Sequence, residues 1–111
     1  MIHYMNLNNR PFQLIKNGSK SVEMRLYDEK RAKIKVGDQI SFTNLADGRS
    51  LEVIVTKLSR HNSFHELYKA YDSIALGYID GEAVNPSDML EYYSQANIDK
   101  YGVLAITVKV K

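Results

Sequence analysis

The residues of this sequence best suited to chemistry lie in one short run at positions 18–25, Gly-Ser-Lys-Ser-Val-Glu-Met-Arg. Alternation of polar and apolar residues predicts a strand here, on which Ser21, Glu23 and Arg25 share one face. Arg25 could hold a phosphate or carboxylate with two parallel hydrogen bonds, or stack on a base. Glu23 could accept a hydrogen bond from the exocyclic amine of a nucleobase. Lys20 could neutralise a phosphate or serve as a base.

The same residues also fit a purely structural interpretation. Glu23 and Arg25 could form an exposed ion pair worth about 0–1 kcal/mol, and a polar strand face is often only the solvent side of a sheet. The charge distribution is uneven. Residues 16–35 contain seven basic and three acidic side chains, a net +4, whereas residues 61–100 contain two and seven, a net −5. A basic face of this kind could attract an anion such as phosphate, and a solvated lysine-rich loop is the alternative.

The elements that must position these residues follow from periodicity and turn signals. Strands are predicted at residues 1–7, 21–27, 39–45 and 50–59, and after Gly102, where Leu104, Ile106, Val108 and Val110 would share a face. Helices are predicted after Asn9, Ser63 and Asn85, with residues 72–84 irregular. Because strands and helices do not alternate regularly, the pattern favours an α+β fold. We expect one domain, residues 1–111, built as a small mixed β-barrel of about five strands with peripheral helices.

Composition excludes several classes of protein. The 111 residues include no cysteine, which rules out disulfides, thiolate metal sites and a cysteine nucleophile, and favours a cytoplasmic location. No signal peptide or membrane-spanning run is evident. Neither of the glycine-rich patterns that bind nucleoside triphosphates or dinucleotides is found, so no cofactor is expected. His61 and His65 are four residues apart, but the helix is predicted to begin near Ser63, so no metal site is expected either.

The tyrosines divide into two groups by predicted position. Helical spacing places Tyr68, Tyr71 and Tyr93 toward the core. Tyr78, Tyr92 and Tyr101 have no clear place, and one of them could stack on an unpaired base. Tyr27 shares the polar strand face with Arg25, which makes it a candidate contact for a ligand.

The order of motifs resembles the ASCH family (activating signal cointegrator homology). The resemblance rests on Gly18-x-Lys20-x-x-Glu23-x-Arg25 after a helix with Phe12 and Ile15, on residues 27–31 and 34–42, and on the end of the chain, Tyr101-Gly102-Val103-Leu104-Ala105-Ile106. It covers nearly the whole chain and is strongest with the small stand-alone bacterial members. It implies a PUA-like fold, a small mixed β-barrel surrounded by helices.

The resemblance also implies that RNA or a nucleotide binds in a cleft beside this motif. Lys20, Glu23 and Arg25 match the family positions and would line that cleft. Tyr27, together with Lys30 and Arg31 of the following basic segment, would extend the binding surface, where contacts to phosphate would make affinity fall with salt.

Some small members of the family are enzymes, so hydrolysis stays open as an alternative. One branch removes acetyl from N4-acetylcytidine with a lysine, a threonine and a glutamate, and a ribonuclease activity also occurs in the family. Lys20 matches that lysine, but Glu23 replaces the threonine, and a carboxylate is not an equivalent nucleophile. Ser21 could substitute for it, which would make Lys20, Ser21 and Glu23 the catalytic set. Glu82 is one candidate for the partner glutamate.

A third interpretation is an adaptor that binds a protein partner through the acidic residues 61–100. The sequence carries no signal for an oligomeric state, and it does not distinguish RNA from a free nucleoside as the ligand.

Overall fold

A computed structural model describes all residues, 1–111, and shows one five-stranded mixed sheet curled into a half-barrel. The strands run in the spatial order β1-β3-β4-β5-β2. Their bounds are Ile2–Leu7 for β1, Val22–Leu26 for β2, Gln39–Asn44 for β3, Ser50–His61 for β4 and Val103–Val110 for β5. Strand β1 is parallel to β3 and every other pair is antiparallel. A register shift in β4 between Val55 and Lys57 disrupts its ladder with β5, and such bulges increase strand curvature.

Helices flank the sheet on its periphery. Four are α-helical: α1 at Asn9–Lys16, α2 at Phe64–Ala70, α3 at Ser73–Leu76 and α4 at Gln95–Tyr101. Two short 3-10 helices lie at Arg31–Lys33 and Pro86–Glu91. None of these helices has the length and apolar character that crossing a bilayer requires.

The five predicted strands are confirmed, but the helical predictions needed correction. Asn8 rather than Asn9 occupies the N-cap position of the first helix, and its side chain makes no capping hydrogen bond. The prediction at Ser63 is confirmed, since its side chain accepts a hydrogen bond from the Glu66 backbone N–H. The helix expected after Asn85 is a 3-10 helix, and the region predicted to be irregular contains α3. Helix α4 was not predicted because Ile98 is its only buried residue, which gives the sequence no apolar stripe.

Two apolar clusters pack on opposite faces of the sheet. The first includes Phe12 and Ile15 of α1, and the second lies beneath α2, α3 and α4. Strand β5 serves both clusters: Leu104 and Ile106 face the first, whereas Val103 and Ala105 face the second. The predicted apolar face of β5 is therefore only half of its buried surface, as expected for a strand covered on both sides.

The half-barrel leaves a seam between its two edge strands, β1 and β2, which no backbone ladder joins. Alternate carbonyls of β1 point away from β3 and would be unpaired at this edge. Two basic side chains supply the missing donors. Arg25 Nη2 donates to the Asn6 carbonyl at 2.8 Å, and Lys30 Nζ donates to the Tyr4 carbonyl at 3.2 Å. The candidate site lies along this seam.

Candidate functional site

The turn after α1 places Lys20 at the bottom of a cavity. Gly18 adopts a left-handed conformation with φ of 88°, which turns the chain just past the helix end. The Lys20 backbone N–H then donates to the Leu14 carbonyl at 3.0 Å and fixes the turn against α1. The Lys20 side chain is buried, and its Nζ donates to the Leu76 carbonyl at 3.2 Å.

Gly77 makes room for this lysine. Its φ of 111° is left-handed, and a Cβ added there would lie 3.0 Å from Lys20 Cδ and 3.3 Å from Nζ. Any larger residue would therefore press on the lysine as well as strain the backbone. The end of α3 is shaped around the Lys20 side chain.

Lys20, Glu23 and Arg25 converge in one buried network. Lys20 Nζ lies 3.1 Å from Glu23 Oε1. Arg25 contacts the other carboxylate oxygen, Oε2, with Nη2 at 2.7 Å and Nε at 2.9 Å. The side chains of Lys20 and Glu23 are 6% and 7% exposed, so this is no surface ion pair and the strand face is not a solvent face.

The electrostatics of the network keep Glu23 ionised. Burial alone would raise the pKa of the Glu23 carboxyl, but the charges of Lys20 and Arg25 outweigh burial and hold that pKa below its ordinary value. Burial would lower the pKa of Arg25, and the Glu23 carboxylate outweighs that effect and raises it. Two cations and one anion are therefore packed together, with a net charge of +1.

The network still has hydrogen-bonding capacity toward the cavity. An ammonium group has three N–H donors, and Lys20 uses two of them, on Leu76 and Glu23. Arg25 Nη1 has no protein partner and is not among the buried unpaired atoms, so it is accessible. Glu23 Oε1 contacts only Lys20 and keeps a free acceptor site. Unused donors and an unused acceptor site therefore belong to one network that lines the cavity.

These three side chains line a cavity of about 460 Å³ between the seam and the segment 77–94. Residues of separate elements complete its walls. The aromatic ones, which only the fold brings together, are Tyr68, Tyr78, Tyr92 and Tyr93. A volume of this order and aromatic walls are typical of small-molecule sites, and charged side chains also line this cavity.

The tyrosines differ in how they are held. Tyr78 donates to Asp88 Oδ2 at 2.8 Å and lies 2.9 Å from the hydroxyl of Tyr68. Burial raises the pKa of Tyr78, and the neighbouring Tyr68 and Asp88 raise it further, so Tyr78 stays protonated. The ring of Tyr93 stacks on Phe64 at a centroid distance of 5.9 Å.

A salt bridge crosses the mouth of the cavity. Arg10 of α1 pairs with Glu82, whose carboxylate also accepts from the Ile79 backbone N–H at 2.9 Å. The hydrogen bond from Arg10 is the main cause of the lowered pKa of the Glu82 carboxyl. Glu82 thus lines the cavity, but its carboxylate is already engaged at the rim.

Four residues predicted for the site do not line this cavity: Ser21, Tyr27, Lys30 and Arg31. The Arg60 guanidinium lies 3.8 Å from the centroid of the Tyr27 ring and covers that face. Arg31 pairs with Asp28 at 2.9 Å, and Lys30 reaches the β1 edge described above.

The other predicted features also have definite positions. Of the three tyrosines that had no clear place, Tyr78 and Tyr92 line the cavity, whereas Tyr101 lies outside it with Lys100 5.1 Å from its ring. Tyr93, assigned to packing, both packs on the core and lines the cavity. No three histidine, aspartate or glutamate side chains are grouped to hold a metal ion.

A curled mixed half-barrel with helices on its periphery and a cavity beside the strand after α1 defines a PUA-like α+β fold. Comparison with family models gives the narrower class. The model of the ASCH domain matches residues 5–111, nearly the whole chain. The protein therefore belongs to the ASCH domain family, as the motif at positions 18–25 predicts.

Solved structures agree with this assignment. The hypothetical protein PH0355 is 32% identical, with a TM-score of 0.85 and full coverage of both chains. Protein PF0455 from Pyrococcus furiosus is 34% identical, with a TM-score of 0.76, over 99% of this chain and 97% of that one. An ASCH domain from Lactobacillus crispatus is 12% identical, covers 97% and 79%, has a TM-score of 0.65 and shares the fold. The comparison with curated proteins gave no match.

Proposed function

We propose that this protein binds RNA or a nucleotide by taking an unpaired base into the cavity. The observation that carries the proposal is the Lys20–Glu23–Arg25 network, buried at the cavity wall with donors and an acceptor still free. Buried ion pairs add little stability compared with apolar side chains of similar volume. The contact of Arg25 with the Asn6 carbonyl gives Arg25 and its counter-charge Glu23 a structural role, but it does not require a second buried cation, Lys20.

The free groups match the edge of a nucleobase. Glu23 Oε1 would accept from an exocyclic amine, while Lys20 and Arg25 Nη1 would donate to a ring nitrogen or carbonyl oxygen. Tyrosine rings in the walls supply surfaces on which a base can stack, an interaction worth about 1–3 kcal/mol per base. Cytosine and guanine carry an amine and a carbonyl on the same ring and fit this arrangement.

Phosphate would bind outside the cavity rather than within it. The cavity is lined by three basic side chains and four carboxylates, a net charge of −1, which does not attract an anion. The four carboxylates are Glu23, Glu82, Asp88 and Glu91. Lys30 lies at the Tyr4 carbonyl, two residues along β1 from the Arg25 contact at Asn6, a distance of roughly 6.5–7 Å. The backbone of a bound strand would reach Lys30 there.

The test compares two arginine variants. In Arg25→Lys the positive charge stays beside Glu23 but the guanidinium is lost, and affinity for short single-stranded RNAs should fall about tenfold or more. Arg49→Lys is the matched control, because that side chain is 76% exposed and lies outside the cavity. Filter binding of labelled RNAs measures both. Equal affinities of Arg25→Lys and wild type would refute the placement of the site.

A second variant distinguishes binding of the base from contact with the phosphate. Lys30→Gln should weaken RNA binding and lower the salt dependence of affinity by about one phosphate contact, and it should leave binding of free nucleosides unchanged. A Lys30→Gln protein with the wild-type salt dependence would rule out the phosphate contact.

Hydrolysis of an acylated nucleoside is a second candidate, favoured by the contact of Lys20 Nζ with ionised Glu23 in the cavity. Ser21 does not line the cavity, so water would be the nucleophile. The water oxygen would bond to the acyl carbon as the C–N bond breaks, and the proton that the water loses would pass to the departing amine, which gives a carboxylic acid and the free amine. Chromatography of N4-acetylcytidine incubated with the protein tests this reaction. No turnover above a Lys20→Ala control would exclude it, and labelled RNA with the same two proteins tests ribonuclease activity.

A further inference from the structure

The hydroxyl of Tyr93 is the one polar group of the aromatic cavity wall that is both firmly placed and unused. Its ring stacks on Phe64, a residue of the second core cluster, with an interplanar angle of 16°. The phenol oxygen makes no hydrogen bond to any protein group, and it is not among the buried unpaired atoms. The hydroxyl is therefore accessible to solvent, on a ring that lines the cavity and packs on the core.

The other tyrosines of the wall contrast with Tyr93. The hydroxyls of Tyr68 and Tyr78 bond to each other at 2.9 Å, and Tyr78 also bonds to Asp88. Tyr92 is 59% exposed, so its hydroxyl lies largely in solvent. None of these three offers a free hydroxyl on a ring anchored in the core.

Tyr93 lines the same cavity as the charged network. Burial raises the pKa of its phenol, and the charges of Arg25 and Glu23 both act on it, the first lowering and the second raising the pKa. The phenol stays protonated at neutral pH and can donate. Because Arg25 Nη1 is also a free donor, the two groups together offer hydrogen bonds to an acceptor with two lone pairs.

We propose that Tyr93 determines specificity by donating, with Arg25, to a carbonyl oxygen on the ring of the bound base. The inference rests on the proposed function and extends it to a ligand class, the bases that carry a ring carbonyl. Cytosine, uracil and guanine have such an oxygen and adenine has none. A site that offers hydrogen bonds to a ligand group discriminates against analogues lacking it, because its buried polar groups then stay unpaired.

The experiment combines protein variants with a nucleoside panel. Cytidine, uridine, guanosine and adenosine are titrated by calorimetry or NMR into wild type and Tyr93→Phe, which keeps the ring and its stacking on Phe64. Wild type should bind at least one carbonyl-bearing nucleoside more tightly than adenosine. Tyr93→Phe should lower that affinity about 3- to 10-fold, the range for one neutral hydrogen bond, and leave adenosine unchanged. Thermal denaturation verifies that the variant is folded.

Tyr101→Phe is the control, since it removes a tyrosine hydroxyl that lies outside the cavity. It should bind as wild type does. If wild type prefers a carbonyl-bearing nucleoside and Tyr93→Phe keeps that preference in full, the inference is wrong and the proposed function stands. If wild type binds none of the nucleosides and no RNA, both fail. Equal losses in Tyr93→Phe and Tyr101→Phe would also overturn the role of Tyr93.

Discussion

Replacing Glu23 with glutamine removes the carboxylate that contacts both buried cations of the network. Lys20 and Arg25 would then lie close together without a counter-charge, at side-chain exposures of 6% and 13%. Removing one partner of a buried ion pair costs about 3–5 kcal/mol. Glutamine keeps the shape and one acceptor oxygen, so we expect a loss near the lower limit, about 3 kcal/mol.

Urea denaturation at pH 7 measures this loss. The midpoint of Glu23→Gln should fall while the slope stays that of wild type, because the surface exposed on unfolding is nearly the same. In thermal unfolding, 3 kcal/mol corresponds to a decrease of roughly 10–20 °C for a domain of this size. Glu29→Gln is the control, since Glu29 is exposed and forms no ion pair. A loss below about 1 kcal/mol, the level of a surface pair, would refute a tightly buried network.

The difference in stability between wild type and Glu23→Gln should also depend on pH. The pKa of Glu23 is lower in the folded protein than its ordinary value of 4.5, so ionised Glu23 stabilises the fold above that pH. This contribution is lost as the pH falls through the folded-state pKa. The difference in unfolding free energy between wild type and Glu23→Gln should therefore shrink below pH 4.5. A difference that stays constant from pH 7 to pH 3 would contradict the lowered pKa.

Three further predictions follow from packing and from the cavity mouth. Gly77→Ala should destabilise by roughly 1–3 kcal/mol, because its Cβ would lie 3.0 Å from Lys20 Cδ at a left-handed φ, and a wild-type urea midpoint would contradict this. Leu67→Ala empties a fully buried position and should cost about 2–5 kcal/mol, whereas a cost under 1 kcal/mol would mean that the second core collapses around it. Arg10→Gln breaks the salt bridge to Glu82 and should speed amide hydrogen exchange in residues 78–94 while β5 stays protected. Equal exchange rates in Arg10→Gln and wild type would show that the salt bridge does not stabilise this segment.

The strands and the polar segment at 18–25 could be predicted from the sequence because both depend on residues close together in the chain. Alternation at period two predicts the strands at 21–27 and after Gly102, and the turn signals Gly37-Asp38 and Asp47-Gly48 mark the starts of the strands at 39–45 and 50–59. Helix α4 has no such signal, since one buried isoleucine and a serine cap do not make a stripe. The helix forms because Ile98 packs into the second cluster, a contact that only the folded chain provides.

The aromatic wall could not be predicted for a different reason. Tyr68 comes from α2, Tyr78 from the chain after α3, and Tyr93 from the turn before α4, so no spacing along the sequence relates them. The helical pattern placed Tyr68 and Tyr93 in the core, and their rings do pack there. What the pattern cannot show is that the same residues reach past the core into a cavity.

The position of the charged network is explained by the open seam between the edge strands β1 and β2. A ladder between β1 and β2 would have paired the Asn6 carbonyl with a backbone N–H and filled the space between the strands. Without it, the edge needs a donor that can span the seam, and the long guanidinium of Arg25 reaches it at 2.8 Å. An arginine used in this way is drawn out of solvent and requires a counter-charge, which Glu23 supplies. Since one carboxylate faces two cations, donors of the network remain unpaired, and these are the donors that the proposed ligand would use.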